Sequence, residues 1–147
     1  MHSNLLHETE RFLHVQIPLN QAMGVRLESY DGSQLVLTAP LEPNHNHLGT
    51  AFGGSLSALA TLTGYAMLWL QLGDRQAHIV IRESTIRYRH PVRGMLRAVC
   101  QRPDEAMLSQ FRADYAATGK AKVKLQVHII HAVQICVEFE GEFVAIR

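Results

Sequence analysis

Apolar and polar positions change period several times along the 147 residues, and each change marks an element. Leu5, Leu6, Phe12 and Leu13 fall near helical spacing, which predicts a helix over residues 4–16 with Ser3 or Asn4 as its cap. Ile17-Pro18-Leu19 ends it. Val25 and Leu27, then Leu35 and Leu37, alternate with polar or small residues on either side of Asp31-Gly32, the pattern of a β-hairpin. Pro40 and Pro43 close the hairpin. Beyond Gly73, strands are predicted at His78–Arg89, stopped by His90-Pro91, and at Met95–Gln101. Pro103-Asp104-Glu105 starts a short helix to about Ala117, with Met107, Phe111 and Tyr115 on one face and Gly119 at its end. Lys122–Ile130 alternates as a strand. Gln134–Ile146 reads as a strand pair or one long strand bent or bulged at Gly141. The order gives an α+β class with an antiparallel sheet, in one domain over residues 1–147.

The rest of the chain is organised around Asn44–Leu72. Between Glu42 and Asp74 there is no acid and no Lys or Arg, and from Leu56 onward apolar residues fall on every face. A helix apolar all round is a membrane span or the centre of a core. Ser55, Ser57, Thr61, Thr63, Gly64 and Gln71 interrupt this one and no basic cluster flanks it, so it reads as a buried central helix. Ser57, Thr61 and Tyr65, spaced by four, stack on one face below the amides of Gly53 and Gly54. Such a helix start offers unpaired N–H groups to an anion or a developing oxyanion. The structural alternative is that the hydroxyls bond back to the preceding turn.

Charge adds a partner. Residues 1–74 hold two bases and six acids, residues 75–124 eleven bases and four acids, and residues 125–147 one base and three acids, giving −4, +7 and −2. Arg82, Arg87, Arg89, Arg93 and Arg97 are expected on two neighbouring strands and their turn, with Arg87, Arg89 and Arg93 holding an acidic carrier protein or a phosphate. No nucleic-acid-binding pattern occurs, and no nucleic acid or membrane partner is expected. The polar first turns lack a secretory h-region, and Cys100 and Cys136 form no CxxC pair, so a cytoplasmic protein with buried free thiols is the expectation. His45 and His47 lack the further ligands a metal needs, and no metal is expected. GTAFGGS is neither a phosphate-binding glycine loop nor part of GxSxG.

The arrangement N-x-x-G-x-x-x-G-G before a buried helix, at Asn46, Gly49, Gly53 and Gly54, resembles the hotdog fold of acyl-thioester enzymes over nearly the whole chain. In hydrolytic relatives the motif carries a His and, eight residues after the first paired glycine, a carboxylate. Phe52 and Thr61 stand at those positions here. The resemblance implies a homodimer whose sites lie between subunits and receive a phosphopantetheine arm that belongs to the substrate, and dimer and tetramer both stay open. No separate cofactor is implied. NHNHLGTAFGGS is also similar to the hotdog domain of bacterial malonyl-carrier-protein decarboxylases, which feed initiation of fatty-acid synthesis. That likeness implies catalysis by Asn46, the Gly53 amide and Thr61, with Gly54, Phe52, Ser57 and Tyr65 lining the substrate site. Polarising a thioester carbonyl suits a reaction passing through an enolate, whereas Thr61 cannot replace a carboxylate in activating water. Decarboxylation of a malonyl thioester, on carrier protein or coenzyme A, is the leading expectation. Thioester hydrolysis and non-catalytic acyl-thioester binding are the rivals.

Overall fold

The computed structural model describes residues 2–147, with side chains from Asn4 onward. The chain runs α1 (His2–Gln16), α2 (Pro18–Met23), β1 (Arg26–Tyr30), β2 (Gln34–Ala39), the short turn α3 (Leu41–Asn44), α4 (Gly53–Leu72), β3 (His78–Tyr88), β4 (Leu96–Gln101), α5 (Glu105–Thr118), β5 (Lys120–His131) and β6 (Gln134–Ile146). Six strands form one antiparallel sheet in the order β1-β2-β4-β5-β6-β3. Helix α4 packs against β2, β3, β4, β5 and β6, so the sheet wraps it. This is the α+β hotdog architecture expected from the sequence. No helix among the described residues is long and apolar enough to cross a membrane.

Local chemistry accounts for the turns. Asp31 Oδ1 accepts hydrogen bonds from the amides of Ser33 and Gln34 at 2.9 and 2.7 Å, which closes the β1–β2 hairpin. Asp104 caps α5 by accepting from the Met107 amide, and Gly119 ends that helix at φ +76°. Elsewhere the expectation needs correction. A second short helix, α2, starts at Pro18, whose missing N–H costs nothing in the first turn. Helix α1 already includes Asn4, so Asn4 is not its cap, and the side chain of Ser3 lies outside the described residues. On α5 the buried face is Leu108, Phe111 and Tyr115, while Met107 is exposed. Strand β6 is continuous through Gly141, and the neighbouring register shift lies across from it on β3, at Arg82.

A two-residue hairpin loop of type I′ needs positive φ at both positions. Ala132 and Val133, joining β5 to β6, supply it at +51° and +62° without a glycine or asparagine. The left-handed region costs a residue with a Cβ roughly 1–2 kcal/mol. Val133 is also fully exposed.

The core is Leu56, Leu59, Leu62, Met67 and Leu68 of α4 against the inward rows Val123, Leu125, Val127, Ile129 of β5 and Val137, Phe139, Phe143 of β6. At Gly64 the helix backbone lies close against the sheet. A Cβ there would stand 2.5 Å from Cζ of Phe143, which is fully buried. Gly64→Ala should therefore destabilise. Overpacking costs typically 1–3 kcal/mol against about 1 kcal/mol of helix propensity gained, so a net loss of up to about 2 kcal/mol is expected in urea unfolding. An unchanged or higher midpoint would mean that the ring has room to move.

Candidate thioester site at the start of the central helix

The loop from Asn44 to Phe52 is folded by its own asparagines. Asn44 is buried, and its Nδ2 donates to the carbonyls of Met23 and Pro40, both at 2.8 Å. Asn46 Oδ1 accepts from the Leu48 and Thr50 amides at 2.8 and 3.2 Å, and its Nδ2 donates to Thr50 Oγ1 at 2.9 Å. Gly49 takes the turn at φ +79°. The Phe52 amide donates to Asn44 O and that of Ala51 to Val92 O. The N-x-x-G half of the motif is thus a loop clamp. Asn46 thereby holds the loop in place, and one of its two Nδ2 hydrogens is not used in doing so.

The clamp delivers the chain to α4 at Phe52, which offers no side-chain cap. The first N–H groups of a helix have no intrahelical acceptor, and here no capping side chain compensates at Phe52. The Phe52 ring lies over Gly54, where a Cβ would come within 2.4 Å of Cε2, so Gly54 is what lets the ring fold back. On the other side, the Tyr88 hydroxyl donates to Gly53 O at 3.3 Å. A cleft of about 260 Å³ opens here, lined by Ala51, Gly53, Leu56, Tyr88, Arg89, His90 and Pro91. Tyr88 and His90 were not singled out in the sequence. The only hint was that His90-Pro91 ends a strand, and the fold carries that end back to α4.

The polar stripe exists but is partly spent. Ser57, Ala58, Thr61 and Tyr65 are half-buried on a helix whose other faces are covered. Thr61 Oγ1 donates to Ser57 O at 2.9 Å, so its proton is in use and its lone pairs are what it presents. Burial raises the Tyr65 hydroxyl above its ordinary pKa, and its ring meets Trp69 edge-on at 5.0 Å. Gly53 and Thr61 are eight positions apart, about 12 Å along a helix rising 1.5 Å per residue. One thioester cannot touch both in a single chain.

The arginines do not form the expected patch. Strands β3 and β4 are not neighbours, since β5 and β6 lie between them. Arg82 pairs with Glu142, Arg89 with Glu138, and Arg97 with Glu28. The Glu138 carboxyl is held below its ordinary range, chiefly by the bond from Arg89. Much of the +7 segment is thereby neutralised by acids from elsewhere in the chain. Arg89 lines the cleft. Arg87, opposite Glu138, lines a separate depression with Thr85, Gln126 and His128, and Arg93 is exposed in the β3–β4 loop. Both thiols are free and buried, with Cys100 pushed up to about 12 by that burial. Among the described residues no three His, Cys, Asp or Glu side chains group to hold a metal.

A sheet wrapped on one apolar helix, with an uncapped Gly-Gly start opening into a cleft, defines a protein of the hotdog thioester-handling class. The chain belongs to the YiiD_C family, described as "Putative thioesterase (yiiD_Cterm)", which it matches over residues 6–147. It is similar to a protein of unknown function from Chlorobaculum tepidum TLS, at 33% identity over 99% of this chain and 96% of that one, with a TM-score of 0.92. A structure described as a "putative thioesterase" from Shewanella oneidensis is also 33% identical, over 99% of both chains, with a TM-score of 0.85. A probable thioesterase from Pseudomonas aeruginosa is 25% identical over 95% of this chain and 94% of that one, with a TM-score of 0.81.

Proposed function

We propose that this protein decarboxylates a malonyl thioester to the acetyl thioester, holding the thioester oxygen on the Gly53 amide at the start of α4. The observation carrying the reading is an uncapped Gly-Gly helix start above a stripe that holds hydroxyls where hydrolytic relatives hold a carboxylate. As the bond to the malonyl carboxylate breaks, its electron pair moves into the thioester as an enolate, CO2 leaves, and a proton returns to carbon. Amides aimed at the oxygen lower the energy of that enolate. His90 lines the same cleft and is the side chain placed to return the proton to carbon. A carrier-protein or coenzyme A thioester brings its own pantetheine arm, and no cofactor is called for.

The 12 Å between Gly53 and Thr61 calls for a second chain. If two α4 helices run antiparallel with a two-fold axis near Ser57, midway between the two positions, Gly53 faces Thr61 of the partner subunit. Ser57 and Ala58 are small enough for that approach. The sheet supports the same arrangement. β3 is an edge strand of 11 residues with Val80, Ile81 and Tyr88 exposed, and unpaired apolar edges are what monomers avoid. The opposite edge, β1, has five residues and lies against α1. Sedimentation at micromolar concentration should give twice the chain mass, or a multiple of it. A monomer would remove the shared site.

Hydrolysis is the second reading, favoured by His90 as a base for water and by the relatives described as thioesterases. Incubation with malonyl thioester separates the two. Decarboxylation releases CO2 and leaves the thiol acylated, while hydrolysis frees the thiol from malonyl and uncharged acyl thioesters alike.

A further inference from the structure

Three segments meet at the end of the molecule where α4 begins. The loop of residues 44–52 is bonded to the β3–β4 loop through Ala51 and Val92. The amides of Arg89 and His90 donate to Cys136 O on β6, and His131 lies against Gly94 so closely that a Cβ there would stand 2.8 Å from its Cε1. Residues 44–52, 87–97 and 128–138 together contain four arginines, five of the chain's nine histidines and one acid, Glu138. That acid is held by Arg89, and Arg97 pairs with Glu28 of β1, so the uncompensated charge of these segments rests on Arg87 and Arg93. Exposed apolar side chains stand among the charges: Leu48, Met95, Ile135 and, at the hairpin tip, Val133.

Val133 is the informative member. A β-branched residue at φ +62° is a backbone outlier, and this one packs on nothing in its own chain. Asn-Gly would make the same turn without strain, so the fold is not served by Ala-Val. A projecting apolar tip inside a cationic collar fits an acidic surface that also exposes apolar side chains. The cleft at Gly53, about 260 Å³, lies beside these segments and shares Ala51, Arg89 and His90 with them.

We propose that the β5–β6 tip and the β3–β4 loop, through Val133, Ile135, Met95 and Arg93, form a docking surface for an acidic carrier protein that presents its acyl group on a phosphopantetheine arm. This inference rests on the thioester reading above. The protein surface binds here while the arm enters the cleft beside Tyr88.

The test compares one acyl group on two carriers, malonyl carrier protein and malonyl pantetheine, with the intact protein and the double variant Ala132→Asn/Val133→Gly. The variant removes the apolar tip and relieves the turn, so its melting temperature should rise. Its KM for the carrier-protein substrate should increase about tenfold, the loss of one good interface anchor, with kcat and the pantetheine substrate unchanged. Low salt should lower the KM of the intact protein for the carrier-protein substrate alone. Equal KM values for variant and intact protein would overturn the proposal, as would equal impairment of both substrates. A variant that sediments at half the mass would also overturn it, assigning the tip to contact between copies of this chain. Should the intact protein turn over neither substrate, the thioester reading itself fails. Titration with apo carrier protein then decides the surface: binding weakened about tenfold in the variant supports it, and no binding overturns it.

Discussion

Gly53→Pro should lower turnover about 10²–10³-fold, the usual loss for one preorganised oxyanion donor, while the protein stays folded. Few backbone donors can be deleted so cleanly. Gly53 is the first residue of α4, the helical position where proline is best tolerated because the N–H it lacks has no helical acceptor. Phe52 before it is already extended at φ −68° and ψ 134°, the conformation a following proline requires. A Cβ at Gly53 meets only the Tyr88 ring at 3.6 Å, an ordinary contact. Gly53→Ala keeps the amide and adds the same Cβ, so it should keep most of the activity. If proline and alanine act alike, the amide is not the donor and the cleft works some other way. A melting temperature within a few degrees of the parent is the control for folding.

Thr61→Asp should cut decarboxylation by about 10³, because it sets a carboxylate beside the malonyl carboxylate. Two like charges about 4 Å apart repel by about 4 kcal/mol at an effective dielectric of 20. The substitution sits on the half-buried stripe rather than in the core, so the fold should survive it. Uncharged acyl thioesters escape the repulsion. For them the new carboxylate supplies the base or nucleophile that hydrolytic relatives hold at this position, and slow release of free thiol should appear. Rates on malonyl and butyryl thioesters, measured together, should move in opposite directions. A parallel fall in both would place Thr61 in the packing of the site rather than beside the leaving carboxylate.

How far the sequence discloses this molecule depends on the range of the forces involved. Helix α4 is visible because its 20 residues contain no charge, and the Asp31-Gly32 turn and the Asp104 cap because each bonds within three residues of itself. The Ala132-Val133 turn is invisible because neither residue prefers the conformation it is held in. Sheet order is likewise hidden. Strand β3 follows α4 in the chain yet crosses to the edge beside β6, which separates Arg82 and Arg87 from Arg97 and pairs two of those three with glutamates remote in sequence. The motif Asn46, Gly49, Gly53, Gly54 singled out the candidate site. It did not disclose that Asn46 spends its amide on Thr50 and Leu48, or that Tyr88 and His90 return to the start of α4 from about 35 positions away.

In the proposed reaction a malonyl thioester loses CO2 through an enolate whose oxygen is held at the start of α4. Incubating malonyl thioester with the protein in D2O and weighing the products tests it most directly. The reaction as written predicts an acetyl thioester carrying one newly added deuterium, CO2 in equal amount, and no rise in free thiol. Malonate and free thiol appearing together, with no acetyl thioester, would contradict it.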